Sequence, residues 1–178
     1  MRKLKVTELG RISVDEFKQA KKLPLVIVLD DIRSVYNVGS IFRTSDAFRV
    51  AKIILCGITA QPPMAEIHKT ALGAEDSVEW EYFADAIEAI NTLHNQGYYV
   101  MAVEQVENSV KLNEWTPAND CPYALVLGNE VKGVQQRIVD LCDQSLEIPQ
   151  YGTKHSLNVA NTASIVIWHF LYKIGSLI

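Results

Sequence analysis

The sequence predicts an α/β fold, a mostly parallel sheet with helices on both faces. Three observations lead there. Five short runs rich in Val, Ile and Leu ("LPLVIVLD", "AKIILCG", "YYVMAVE", "YALVLGNE" and the weaker "SLEIP") are nearly continuous rather than alternating, as in strands buried on both faces. Segments with helical periodicity separate them, and strands alternating with helices imply βαβ units. The 178 residues are 48 % hydrophobic and 21 % charged, enough for one ordinary globular core. One domain is expected over residues 1–178, opened by a short basic arm and helix over 1–23.

Each element has a local reason. "SVDEFKQAKK" begins with Ser13 and carries Glu16 three residues later, a capping box for a short helix. Residues 1–22 hold seven Lys or Arg and three acids, a charge of +4 on a chain whose net charge is −4, so the remainder is −8. Such an arm reads either as an RNA contact or as a solvated helix face. Behind the first strand Val38, Ile41, Phe42 and Phe48 share a stripe that leaves Arg43 outside. "ADAIEAINTLHNQG" is a helix closed by Gly97 at C′. "VQQRIVDLC" puts Val134, Ile138, Leu141 and Cys142 on one helical face. The final "SLNVANTASIVIWHFLYKI" is apolar enough to be largely buried. "GITAQPPMAEIHKTALGAED" and "QVENSVKLNEWTPANDCP" are expected as surface loops.

Several function classes drop out. No apolar stretch is long enough to cross a bilayer. "MRKLKVTELG" has basic residues with no apolar core behind them, unlike a secretory leader. Cys56, Cys121 and Cys142 are far apart and odd in number, which fits free thiols in a reducing cytoplasm better than disulfides or a CxxC site. No GxGxxG follows a strand, and no GxSxG elbow is present. "GNEVKGVQ" has two glycines at P-loop separation, but Val134 stands where the lysine must be. His68, His94, His155 and His169 lack metal-ligand spacing, so no metal is expected. His169 reads as a satisfied core histidine.

Ligands of open α/β sheets bind beyond the carboxyl ends of the strands, and polar residues collect there. Asp30, Asp31, Arg33, Asn37, Gly39 and Arg43 follow the first strand, and Glu104 follows "YYVMAV". Gly128, Asn129, Glu130, Lys132 and Gly133 follow "YALVL". Lys154, His155, Ser156, Asn158 and Asn161 follow the last. Taken singly, Asn37, Ser156 and Asn158 serve equally as helix caps, Glu130 as a helix-start carboxylate, Gly39 as a helix-start glycine, and Ile148 and Leu157 as core.

Together these residues resemble a family. "NVGSIFRTSDAF", "LVLGNEVKGVQQ" and "IPQYGTKHSLNVANTASIV" are similar, in order and spacing, to the three motifs of the SpoU (TrmH-like) RNA 2′-O-methyltransferases of the SPOUT superfamily. "KTALGAED" also looks like a family segment, and the likeness spans about residues 24–172. It implies an α/β domain with a deep C-terminal trefoil knot, a homodimer with its active sites at the interface, S-adenosylmethionine as cofactor, RNA as partner and a cytoplasmic location. Carried over residue by residue, it implies catalytic roles for Asn37, Arg43, Glu130, Ser156 and Asn158. Cofactor contacts fall on Ala102, Val103, Glu104, Leu127, Gly128, Asn129, Ile148, Pro149, Ser156 and Leu157, and RNA contacts on Arg11, Arg33, Arg43 and Lys154. The family's arginine is held to accept the ribose proton. A guanidinium is very hard to deprotonate, so the alternative for Arg43 is a bidentate phosphate clamp that steadies a developing alkoxide. With no separate RNA-binding domain in the chain, tRNA is expected ahead of rRNA. The other readings are a non-catalytic RNA-binding protein on the same fold and a nucleotide-binding oxidoreductase, the latter disfavoured by the missing fingerprint.

Overall fold

The computed structural model describes residues 1–117 and 121–175. Its strands are β1 (Leu23–Asp30), β2 (Val50–Cys56), β3 (Glu79–Phe83), β4 (Tyr99–Val103), β5 (Val110–Lys111), β6 (Tyr123–Leu127) and β7 (Gln144–Glu147). They form one sheet in the order β3-β2-β1-β6-β4-β7-β5, and every pairing is parallel. The helices are α1 (Val14–Gln19), α2 (Val35–Ala47), α3 (Ala65–Ala71), α4 (Ala74–Ser77), α5 (Ala86–Asn95), α6 (Gln136–Val139) and α7 (Val159–Ile174), with a 3₁₀ turn at Val6–Glu8.

The period-2 alternation of a strand divides the core in two. Leu25, Ile27, Leu29, Ile53, Leu55, Leu125 and Leu127 point to the face covered by α1, α2, α3, α4 and α7, where Phe42 and Phe170 are fully buried. Val26, Val28, Ile54, Ala124 and Val126 point to the opposite face, covered by α5 and α6. Because both faces are sealed, the polar loops at the sheet's carboxyl end are where a ligand can enter.

Helix ends follow the expected chemistry. Ser13 Oγ accepts the Glu16 N–H, and the Glu16 carboxylate accepts the Ser13 N–H at 2.7 Å. Gly97 takes φ +82° just after α5.

Some expectations need correction. The stretch 57–76 is not a plain loop: α3 lies inside it and α4 begins there, with Ile67 fully buried. The edge strand β3 that follows lacks the apolar run that marked the other strands, since its exposed edge is lined by Glu79, Glu81 and Tyr82. The stretch 105–122 holds β5 and buries Leu112 and Trp115, the latter stacked on Phe170 at 4.2 Å; residues 118–120 within it lie outside the described residues. "VQQRIVDLC" forms a single turn, α6, although Val134 and Ile138 are buried as expected. Helix α7 is not wholly buried: Ile165, Trp168 and Tyr172 fall on one exposed stripe. His169 is half-buried and its Nε2 has no hydrogen-bond partner; burial, with the Lys173 charge, pulls its pKa down, so it sits there neutral.

Candidate functional site

Three segments distant in sequence are tied together at the carboxyl end of the sheet, and asparagines make the ties. An amide offers a donor and an acceptor at one tip, so it can join two elements where a carboxylate can only accept. Asn129 Nδ2 donates to the Asp31 carbonyl at 2.7 Å, while its Oδ1 accepts the Val131 and Lys132 N–H groups at 2.9 and 3.1 Å. Asn37 Nδ2 donates to Glu130 Oε1 at 3.0 Å, and Asn37 Oδ1 accepts from Asn158 Nδ2 at 3.1 Å. Asn158 Oδ1 also caps α7, accepting the Ala160 and Asn161 N–H groups at 2.9 and 3.3 Å.

The N-cap of α2 is Ser34, whose Oγ accepts the Asn37 N–H at 3.3 Å. The Asn37 side chain is thereby left free to bridge, and capping does not explain it. Glu130 closes this corner. Its carboxylate accepts the N–H groups of Arg33 at 2.9 Å and Ser34 at 3.0 Å, besides the Asn37 amide. Burial works to raise its pKa, but those donors outweigh burial and hold the carboxyl below the usual glutamate value. Glu130 is therefore an anion at neutral pH, set at the start of α2 where the helix dipole favours it.

Gly39 has a packing role. A Cβ there would lie 2.1 Å from Thr70 Oγ1 and 2.4 Å from the Ile67 carbonyl, so α2 meets α3 backbone to backbone at this point. The close approach is to the protein's own helix. The glycine of the second turn has a similar cause: a Cβ on Gly128 would lie 2.2 Å from the Gly133 carbonyl carbon and from the Val134 nitrogen.

A cavity of about 660 Å³ opens beside this corner, within the range of small-molecule sites. Val103, Glu104, Leu127, Gly128, Asn129, Ile148, Ser156 and Leu157 line it, as do Glu130 and Asn158. Ala102 lies instead in the core on the α5 side, and Pro149 is half-buried beside the lining residues Ile148 and Gln150. Asn37 reaches the cavity through its bonds to Glu130 and Asn158. Arg43 is exposed, on the α2 stripe that also carries Tyr36 and Ala47, and is not among the lining residues. Six residues along a helix advance it about 9 Å and turn it two-thirds of a revolution from Asn37, which accounts for that placement. Arg11, Arg33 and Lys154 are all exposed.

Reasoning from sequence passed over Ser34, Gln105, Val106 and Thr162. The last three line the cavity. Ser34 was legible as a serine directly before a helix; nothing in the sequence distinguishes the other three.

A parallel sheet sealed on both faces, with a cavity of small-molecule size beyond its carboxyl ends, defines the chain as an α/β protein of the open-sheet class. The comparisons narrow the class. The family model described as the SpoU rRNA Methylase family matches residues 24–168. A TrmH family tRNA/rRNA methyltransferase of Staphylococcus haemolyticus, described as putative, is 30 % identical over 163 residues, covering 89 % of this chain and 64 % of that protein. A 23S rRNA (guanosine-2′-O-)-methyltransferase of Vibrio parahaemolyticus is 28 % identical over 162 residues, covering 90 % and 64 %. The AdoMet-bound rRNA methyltransferase structure from Sinorhizobium meliloti superposes with a TM-score of 0.78 at 25 % identity, over 88 % of this chain and 59 % of that one. The chain belongs to the SpoU rRNA Methylase family. It spans somewhat under two thirds of the length of these relatives.

Proposed function

We propose that the protein is an S-adenosylmethionine-dependent methyltransferase acting on a ribose 2′-hydroxyl of structured RNA, with residues 1–178 as one catalytic domain. The observation that carries the reading is the convergence of the three motifs: Asn37, Glu130 and Asn158 form one hydrogen-bonded chain at the rim of the cavity. The relatives point the same way, one by name to guanosine 2′-O-methylation and one by its bound AdoMet.

The cavity fits the cofactor. Leu127, Leu146, Ile148 and Leu157 give apolar walls suited to a purine, and the tightly folded backbone of 128–134 offers peptide groups for the polar edges. When bound, S-adenosylmethionine supplies an electrophilic methyl on a cationic sulfur. The chain's own residues do the rest. Glu130 stays ionised and orients the Asn37 amide, and Asn37 in turn sets Asn158 at the mouth of α7. Ser156, exposed beside Asn158, faces the entering ribose. Holding the hydroxyl in line supplies much of the rate, on the order of 7–11 kcal/mol in favourable intramolecular cases. Arg43 grips an RNA phosphate and steadies the charge that develops on the ribose oxygen.

Arg43 stands away from its own chain's cavity, and a homodimer resolves that. The stripe of Ile165, Trp168 and Tyr172 on α7 is a row of large exposed apolar side chains, and α7 adjoins α2 through the Thr44–Ser164 hydroxyl contact at 3.1 Å. A two-fold contact through this face buries the stripe and carries each Arg43 toward the partner's cavity. Replacing Ile165 and Tyr172 together by Glu should turn a dimer into a monomer in sedimentation and abolish turnover; a wild-type chain that is monomeric at micromolar concentration would overturn this assembly. The deep trefoil knot belongs to the same proposal. It is supported by β7 lying between β4 and β5, with the chain that leaves β4 meeting the segment that leaves β7 at Gln105 and His155. Unpaired cysteines suit a cytoplasmic location, and among the described residues no helix is long and apolar enough to cross a membrane.

The deciding experiment is labelled-methyl transfer into fractionated tRNA and rRNA, followed by alkaline digestion. A ribose 2′-O-methyl blocks cleavage at its own linkage, so an alkali-resistant dinucleotide carrying label is expected, in tRNA first. Label that survives only on bases removes the ribose reading; no transfer into either RNA, with cofactor binding intact, favours the non-catalytic RNA-binding alternative. Within the enzyme, Arg43→Lys keeps the charge and loses the planar fork, so kcat should fall by at least about 100-fold.

A further inference from the structure

Glu104 and Gln105 leave the carboxyl end of β4 between the two loops that bound the cavity, and each ties down one of them. Glu104 Oε2 accepts the Val134 N–H at 2.9 Å, and Glu104 Oε1 accepts the Gln105 N–H at 2.8 Å. The second loop fits around that carboxylate: Gly133 takes φ +66°, and a Cβ there would lie 2.1 Å from Glu104 Oε2. Gln105 Nε2 donates to the His155 carbonyl at 3.0 Å, on the segment that follows β7. Since Glu104 also fixes the backbone of Gln105, the contacts make one brace that runs from Val134 through Glu104 and Gln105 to His155.

We propose that Glu104 and Gln105 are a positioning pair, setting the spacing between the 128–134 turn and the 150–157 segment at which the cavity takes S-adenosylmethionine. Glu104 acts by accepting hydrogen bonds, because both its oxygens are engaged by backbone N–H groups. Neither residue has to touch the reacting atoms. The inference rests on the methyltransferase reading above.

The test uses the full chain, with titration calorimetry against S-adenosylmethionine and S-adenosylhomocysteine and steady-state methyl transfer. Glu104→Ala should raise Kd for both ligands by about tenfold to a hundredfold, the scale of leaving a half-buried N–H unpaired, while kcat at saturating cofactor stays within about threefold. Gln105→Ala removes one neutral, exposed bond and should raise Kd by about two- to tenfold. Being at the surface, it keeps the test alive should Glu104→Ala fail to fold. Glu104→Gln keeps one acceptor oxygen without the charge, enough for the Val134 N–H but not for the Gln105 N–H as well, and should recover part of the affinity. A Glu104→Gln protein as weak as Glu104→Ala overturns the brace in favour of a charge effect, and so does a loss confined to the ligand that carries the sulfonium. Variants that all bind like wild type overturn it outright and leave the methyltransferase reading standing. A wild-type chain that binds neither ligand removes that reading and the inference together.

Discussion

The turn at 128–134 and the segment at 150–157 face each other across one cavity, yet they are held in opposite ways. The turn is closed on itself by the Asn129–Gly133 bridge, anchored just past β1 through Asn129 and Asp31, and pinned just past β4 by Glu104. In the segment, residues 151–157 are all exposed, and among the described residues one side-chain bond from outside, Gln105 to His155, holds it. The contrast separates two tasks. A wall that must present fixed peptide groups to a small ligand needs its backbone over-determined. On the proposed function the other wall also admits a folded RNA, and gains from a segment few contacts restrain.

The comparison can be broken most severely at Glu130, which joins the rigid turn to the start of α2. Glu130→Ala strands three donors and lets Asn37 and Asn158 drift; kcat should fall on the order of 100-fold, because misplacement by about an ångström has that effect. Glu130→Gln should be milder. The acid limb offers a check on the same contact. The folded-state pKa of Glu130 is depressed, so the stability it contributes is present above the unfolded value, about 4.3, and is lost as pH falls through the lower folded value. The melting difference between wild type and Glu130→Gln should therefore hold at neutral pH and close only in that acid window.

A methyl group added at Gly128 tests the rigidity of the turn from within. Its neighbours are backbone atoms of Gly133 and Val134, which cannot swing aside as a side chain can. Gly128→Ala should destabilise by about 1–3 kcal/mol in thermal unfolding and weaken cofactor binding in calorimetry. At the other end of the scale stands Tyr151 in the loosely held segment, 96 % exposed. Tyr151→Ala should change stability by less than about 0.5 kcal/mol and leave cofactor affinity within about threefold. Any RNA dependence would appear separately, as a raised KM for RNA. A large loss of cofactor affinity there would mean that both walls are equally rigid.

Much of this was readable before any coordinates. The apolar runs marked five of the seven strands, because strands sealed on both faces leave no room for polar alternation. Ser13 with Glu16 marked the start of α1, and Gly97 the end of α5. What escaped was structure stabilised from outside the local segment. β3 is an edge strand whose Glu79, Glu81 and Tyr82 face water, and β5 is a two-residue pairing with β7; neither bears an apolar signature. Trp115 looked like a loop residue and is core, because Tyr123 and Phe170 reach it from elements that the chain delivers later.

The sequence by itself determined the α/β class, five of the seven strands, the helices with a clear apolar stripe or cap, and the residue types available at the sheet's carboxyl end, since hydrophobic periodicity and capping act over a few neighbouring residues. Through the family resemblance of its motifs it also pointed to Asn37, Glu130 and Asn158, in one set with Arg43 and Ser156. Only the tertiary structure decided that these three touch, that Gly39 serves the contact with α3, and that Glu104 meets Val134. Such contacts join residues from about 30 to more than 120 positions apart. Their formation depends on where packing brings the elements together, which no local pattern encodes.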